Sequence, residues 1–169
     1  GSLPTSFAPA GGVRLVVRLG NGPEYHILPT VLPLRLGAEG GWIGGFVAGH
    51  TPAELIPSDL VNEGGGIHVD GLGTVLLTET VQLDPGRNPT LTRADVEAEL
   101  ARTIGATHAI WLPRGLTRDY DEFGTRGHVD IVATIPSPGV VLLHEQEDPS
   151  HPDHVVSREL RDVLSEARD

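Results

Sequence analysis

The sequence predicts an α/β fold assembled from strand, strand, helix, strand units. Between residues 62 and 112 an extended apolar stretch, an Asp-Gly turn, an apolar return, a capped helix and a further strand follow in order. The same order begins again between residues 125 and 169, and both second strands contain Val-Leu-Leu, at 75–77 and 141–143. A repeated unit that cannot bury its own faces needs neighbours about a common axis, so a propeller-like or solenoid-like piece is expected.

The elements are justified in chain order. Gly1-Ser2 reads as the remnant of a cleaved tag and is set aside. Residues 3–57 are unassigned and rich in Gly, Pro and aliphatics. They hold a strand-like Val13 to Leu19, a turn at Asn21-Gly22, a second extended stretch from Tyr25 to Leu36 broken by Pro29 and Pro33, and a loop from Gly37 to His50. In the first unit Gly66 to Val69 is extended, Asp70-Gly71 turns, and Thr74 to Val81 returns as a strand. Thr92 and Asp95 have capping-pair spacing, with Val96, Leu100 and Ile104 at helical intervals and Gly105 as the stop. His108 to Leu112 closes the unit. The second unit runs as a strand from His128 to Ile135, a turn through Pro136-Ser137-Pro138-Gly139, and a strand from Val140 to His144. Its helix starts at Asp153 or His154, with Val155, Leu160 and Leu164 on one side, and no closing strand follows.

Composition bounds the function classes. At 169 residues and 38% hydrophobic the chain can bury a real core, and no apolar run is long enough for a membrane span. The formal charge is −11, and all 12 basic residues are Arg. That balance argues against a nucleic-acid partner, which needs clustered cations; it agrees with a cationic small molecule, although a solvated acidic surface is the plainer reading. The charge is uneven: residues 1–56 are neutral, with Glu24, Glu39 and Glu54 against Arg14, Arg18 and Arg35, which leaves 20 acids and nine arginines beyond them. With no cysteine, the chain can form no disulfide, thiolate metal site or thiol nucleophile of its own. Cytoplasm is the expected compartment.

Two stretches concentrate chemistry: Asn62-Glu63-Gly64-Gly65-Gly66-Ile67-His68-Val69-Asp70-Gly71 and Thr125-Arg126-Gly127-His128-Val129-Asp130. They place two carboxylates and an imidazole in glycine-rich surroundings suited to a planar, cationic guanidinium. Taken alone, Glu63 reads as a loop carboxylate, and His128 and Asp130 as polar neighbours on one strand face. His68-Val69-Asp70 has the letters of the second motif, but Asp70 begins a turn and reads as structural, while His68 stays open. His144, Glu145, Glu147, Asp148, His151, Asp153 and His154 lack metal-site spacing and read as a solvated loop that caps the following helix. Trp42 and Trp111 read as packing residues, and Arg114 and Arg118 as loop salt-bridge formers.

The segments EGGGIHVDGLGTVLLTETVQLDPGRNPTLT, IWLPRGL and GTRGHVDIVA, in this order and spacing, make residues 58–160 similar to the central portion of an agmatine deiminase. That family lies in the guanidino-group modifying superfamily with the arginine and peptidylarginine deiminases. The resemblance implies a pentein-type α/β propeller of five blades, of which this chain would be a part. It also implies hydrolysis of agmatine to N-carbamoylputrescine and ammonia in polyamine biosynthesis, with no cofactor and no metal. By the same resemblance Glu63 and Asp130 hold the guanidinium of a small cationic substrate such as agmatine, and His128 is the general acid/base. An open propeller leaves sheet edges unpaired, so a homodimer that covers them is also expected.

The departures from the pattern qualify activity. The family's cysteine nucleophile stands in a Gly-Gly-x-Ile-His-Cys context. The similar residues 64–69 here, Gly-Gly-Gly-Ile-His-Val, carry Val69 in its place. The family's early Trp-x-Arg-Asp-x-Gly-Pro motif has no match in residues 3–61, and Gly41-Trp42-Ile43-Gly44-Gly45-Phe46 is a scrambled echo of a second segment. The resemblance is expected to fail before about Ser58. An incomplete or inactive amidine hydrolase is therefore expected, with a non-catalytic guanidinium-binding or interaction module as the alternative. The choice among agmatine, arginine and peptidyl-arginine stays open.

Overall fold

The computed structural model describes the backbone of residues 15–17 and 25–27, and residues 49–50 and 56–167 in full. Strands β1 (Leu15–Val17) and β2 (Tyr25–Ile27) pair antiparallel with Val16 opposite His26, inside the two extended stretches expected there. The Asn21-Gly22 turn and most of the loop before His50 lie outside the described residues.

A three-stranded sheet forms the centre of the described chain. Its strands β3 (Ile67–Val69), β4 (Thr74–Thr78) and β5 (His108–Leu112) lie in that order, the first pair antiparallel and the second parallel. The β3–β4 turn is closed by Asp70, whose carboxylate accepts the amides of Leu72 at 2.7 Å and Thr74 at 2.9 Å. Gly71 and Gly73 supply the positive φ values, 78° and 116°, that this turn needs. Asp70 is thus a turn residue, as its position suggested.

Strand β4 is covered on both faces, and its unbroken apolar letters follow from that. Leu76 points into a core with Leu112, Val129, Val132, Val156 and Leu160. Val75 and Leu77 point the other way, into Leu60, Val96, Leu100 and Ala106. The strand ends at Thr78 rather than continuing to Val81, and Glu79–Gln82 forms a one-turn helix, α1. Buried polar demand causes the early turn. The Gln82 side chain is fully buried and donates to Asn62 Oδ1 at 2.7 Å and to the Gly66 carbonyl at 2.9 Å, which a continued strand would place out of reach.

Helix α2 (Arg93–Ile104) crosses over the sheet and lets β4 and β5 run parallel. Its ends are those read from the sequence. Thr92 and Asp95 form a capping box, and Gly105 takes the left-handed conformation at φ 71° while its N–H returns to the last-turn carbonyls. Val96 and Leu100 are its buried anchors.

The other face is covered by a hairpin and a helix. Strands β6 (Ala133–Ser137) and β7 (Val140–Leu143) pair antiparallel, and the turn is tighter than expected, because Ser137 already pairs with Val140 around Pro138-Gly139. Helix α3 (Asp153–Glu166) starts where its sequence suggested. Its inner face differs: Val156 and Leu160 are buried with Val163 and Leu164 beside them, while Val155 is 61% exposed. Residue 155 lies five positions from 160, off the 3.6-residue stripe that 156, 160, 163 and 164 share. The expected strand from His128 is also corrected, since Val129–Ile131 is a single 3-10 turn capped by His128 and β6 begins only at Ala133. Val129 and Val132 are both buried, and a three-residue spacing puts them on one face of a 3-10 turn but on opposite faces of a strand. Among the described residues, no helix is long and apolar enough to cross a membrane.

Candidate active site

Glu63 sits at the start of a 3-10 turn, Gly64–Gly66, that leads directly into β3. Buried amides fix this segment from below. Asn88 accepts the Val61 amide at 2.9 Å and donates to the carbonyls of Val61 and Gln82, while Gln82 holds Asn62 and Gly66. The Glu63 side chain emerges 41% exposed, so it is anchored through its backbone yet reachable from solvent.

His128 occupies the equivalent place before β6, as the cap of the Val129–Ile131 turn. Its loop is organised by one carboxylate. Asp119 accepts from the Thr125 amide (2.9 Å), the Thr125 hydroxyl (2.5 Å), the Gly127 amide (2.6 Å) and the His128 amide (3.0 Å). Burial alone would raise the Asp119 pKa, but these four donors outweigh it and hold the carboxyl below its ordinary value. Gly127 takes a φ of 105°, and the Thr78 hydroxyl donates to its carbonyl at 2.6 Å, which ties the loop to the end of β4.

The two segments meet side chain to side chain. His128 Nε2 lies 3.0 Å from Glu63 Oε2. A β-carbon added to Gly65 would fall 2.5 Å from His128 Nδ1 and 2.6 Å from Asp130 Oδ2, so imidazole and carboxylate converge over a glycine that has no side chain to keep them away. Asp130 is exposed, and its Oδ2 shares the space over Gly65 with the imidazole. A fourth group completes the cluster. Arg87 Nε donates to both oxygens of Glu63 at 2.9 and 3.0 Å, while its terminal nitrogens donate to Asp84 at 3.3 Å and to the Thr125 carbonyl at 2.8 Å. Burial would raise the Glu63 pKa, but the bonds from Arg87 and His128 prevail and keep it below its ordinary 4.5.

Acid should therefore weaken the fold. Glu63, Asp119 and Asp153 all titrate below their ordinary values in the folded chain, so the unfolded chain binds protons first as pH falls. Their stabilisation is present above the ordinary carboxylate range and is lost on descending through it and below. Thermal melts at stepped pH should show little change between pH 7 and 5 attributable to these groups, and a steep fall once pH drops below about 4.5.

Arranged in this way, two carboxylates lie beside a histidine, and one of them, Glu63, already accepts a flat, hydrogen-rich cation, the Arg87 guanidinium. A family model, the Porphyromonas-type peptidyl-arginine deiminases, matches residues 42–169. The chain belongs to that family. The match starts 16 residues ahead of Ser58, so the resemblance extends further towards the N-terminus than its legible motifs suggested. A Streptomyces avermitilis protein provisionally named agmatine deiminase is 57% identical over 129 residues, which are 75% of this chain and 37% of that protein. The Medicago truncatula agmatine deiminase is 43% identical over 110 residues, 65% of this chain and 29% of the relative. The solved agmatine deiminase of Enterococcus faecalis superposes with a TM-score of 0.60 at 38% identity, covering 66% of this chain and 30% of its own. The present chain thus spans between 29% and 37% of the length of these two curated relatives.

For this deiminase family member, the structure brings Glu63, His128 and Asp130 together as a cluster. His68 lies outside it, with Nε2 2.9 Å from the Thr134 hydroxyl as a link between β3 and β6. Val69 packs towards the α2 side of the sheet. In the acidic segment after β7, Asp148 accepts from Ser150 two residues on, while Asp153 reaches back across 36 residues to accept the Thr117 amide at 2.7 Å. Among the described residues, no three His, Asp or Glu side chains are grouped to hold a metal ion. Trp111 donates to Glu97 and lies under Arg93, and Arg114 pairs with Glu159 at 2.8 Å.

Sequence reading missed Arg87, Asp84 and Asp119. Arg87 sits 24 residues from its partner Glu63, and no local spacing announces such a pair. Asp119 had one usable signal, its place shortly before a Thr-x-Gly-His run whose amides need an acceptor. Gly65 serves close approach, since His128 and Asp130 converge over it. Gly65→Ala is expected to destabilise the chain by about 1–3 kcal/mol through forced overpacking. A urea melt reads the loss, and NMR should show larger shifts at His128 than at His108, which lies in β5 away from the cluster.

Proposed function

We propose that this chain carries the guanidinium-holding and proton-transfer part of an agmatine deiminase-type site, and that these 169 residues by themselves do not turn substrate over. One observation carries the reading: Glu63 already holds a guanidinium, that of Arg87, while His128 shares the same carboxylate and Asp130 converges with His128 over Gly65. The relatives' names support agmatine as the substrate to try before arginine or peptidyl-arginine. In the reaction, agmatine and water give N-carbamoylputrescine and ammonia. A thiolate attacks the guanidinium carbon, ammonia leaves, and water cleaves the resulting adduct. Asp130 and the free lone pairs of Glu63 would grip the cation, and His128 would protonate the departing nitrogen and then accept a proton from water. The sequence holds no cysteine to attack.

The same reading assigns residues 62–112 and 125–169 to two units of a pentein-type propeller. Glu63 and His128, each capping a 3-10 turn before the first strand of a hairpin, would occupy matching places in them. It also carries a cytoplasmic location and a homodimer over the outer edge of β7, and a monomer mass by light scattering would contradict the dimer. An ammonia-release assay with agmatine tests the main claim. No release above buffer is expected, and turnover at ordinary enzyme rates would contradict it.

A second reading, an interaction module, is favoured by apolar side chains open to solvent, Phe123 at 96% and Leu142 at 57% exposure. Under it an arginine-bearing peptide should bind more tightly than agmatine, and calorimetry with the two ligands separates the readings.

A further inference from the structure

We propose that Arg87 is a positioning residue: its guanidinium clamps Glu63 to the loop that carries His128, and through Glu63 it fixes which ring nitrogen of neutral His128 bears the proton. The proposal deepens the functional reading above and rests on it for its significance, although its geometry stands separately. Arg87 hydrogen-bonds to both halves of the cluster, binding Glu63 on one side and the Thr125 carbonyl, three residues before His128, on the other. Its side chain is only 14% exposed, so the contacts are shielded from competing water. Asp84, itself 7% exposed, supports it from behind and also pairs with Arg126 at 2.7 Å.

The tautomer follows from donor and acceptor counting. Glu63 is ionised at neutral pH and has only lone pairs to offer, so the 3.0 Å contact with His128 Nε2 requires the hydrogen to sit on Nε2. In the neutral ring Nδ1 then keeps its lone pair, and it lies over Gly65, where Asp130 Oδ2 also converges. A histidine in this state can accept a proton at Nδ1 and give one up at Nε2. The arrangement depends on Glu63 staying in place. Its side chain is 41% exposed and, apart from His128, its hydrogen-bond anchor is Arg87. Lysine would keep the charge but lose the planar fork that reaches Glu63, Asp84 and Thr125 together.

Ring nitrogen NMR of the full chain, histidine-labelled with nitrogen-15 and held well above the imidazole titration range, tests this directly. His128 is assigned by the signal lost in His128→Gln. The wild-type ring should show a protonated Nε2 and a lone-pair Nδ1, biased about tenfold or more by the charge-assisted bond. Arg87→Lys, shown to be folded by circular dichroism, should relax the ring towards the mixture of a solvent-exposed histidine, as should Glu63→Ala. An unchanged ring in either folded variant would overturn the proposal. Should Arg87→Lys fail to fold, the wild type still decides: the Arg87 Nε–H signal should exchange slowly and vanish in Glu63→Ala, and a fast-exchanging signal in the wild type would refute the clamp. Absence of agmatine binding would remove the functional reading but leave these ring spectra unaffected, so the two failures are distinguishable.

Discussion

Gly127→Ala is expected to lower the unfolding free energy by about 3–5 kcal/mol, a fall in Tm of about 10 °C for a chain of this size. Two costs combine. The φ of 105° lies in a region that residues with a β-carbon rarely adopt. The added carbon would also stand 2.5 Å from the Tyr120 hydroxyl, 2.7 Å from Thr80 Oγ1 and 2.8 Å from the Gly115 amide nitrogen. Those neighbours cannot simply withdraw, because Tyr120 is bonded to Thr80 and accepts the Gly115 amide. The loop would have to give instead, breaking the Gly127 contacts with Asp119 and Thr78 and carrying His128 off Glu63. Differential scanning calorimetry measures the stability loss, and the His128 ring signals report the displacement.

Leu76→Ala should cost about 3–4 kcal/mol. Leu76 is fully buried at the centre of β4 and packs against Leu112, Val129, Val132, Val156 and Leu160. These residues come from β5, the 3-10 turn after His128 and α3, so the cavity would open where the central sheet meets the second hairpin and helix. Val129 lies between His128 and Asp130, and the loss of its packing partner should loosen the site along with the fold. Urea denaturation gives the magnitude, and a loss below about 1 kcal/mol would show that the two layers are less interdependent than their packing indicates.

What was legible in the sequence had local causes. Helix α2 was readable end to end because Thr92, Asp95 and Gly105 act within one turn of where they stand. The β3–β4 turn was readable because Asp70 closes it with its own carboxylate. The misreadings have tertiary causes. Strand β4 stops at Thr78 because Gln82 must reach back to Asn62 and Gly66. The stretch after His128 turns instead of extending, since Val129 and Val132 must enter one core. The Val155 misreading is of another kind, since the 3.6-residue stripe through Leu160, Val163 and Leu164 passes through Val156 and leaves Val155 outside.

The candidate site divides along the same line. Glu63, His128 and Asp130 were legible as residue types in glycine-rich settings. The parts that position them, Arg87 across 24 residues and Asp119 across nine, are long-range bonds with no periodic signature. The glycines were visible as letters but ambiguous in meaning: Gly71 serves a turn, Gly127 a left-handed backbone and Gly65 a close approach.

The most direct test of the account is a calorimetric titration of agmatine into the full chain near pH 7.5, alongside Glu63→Gln and Asp130→Asn. The expected result is saturable one-site heat in the wild type and an affinity lower by about tenfold or more in each variant, because on the proposed reading each removes a charged acceptor of the guanidinium. No heat in the folded wild type, or equal affinities in all three proteins, would contradict it.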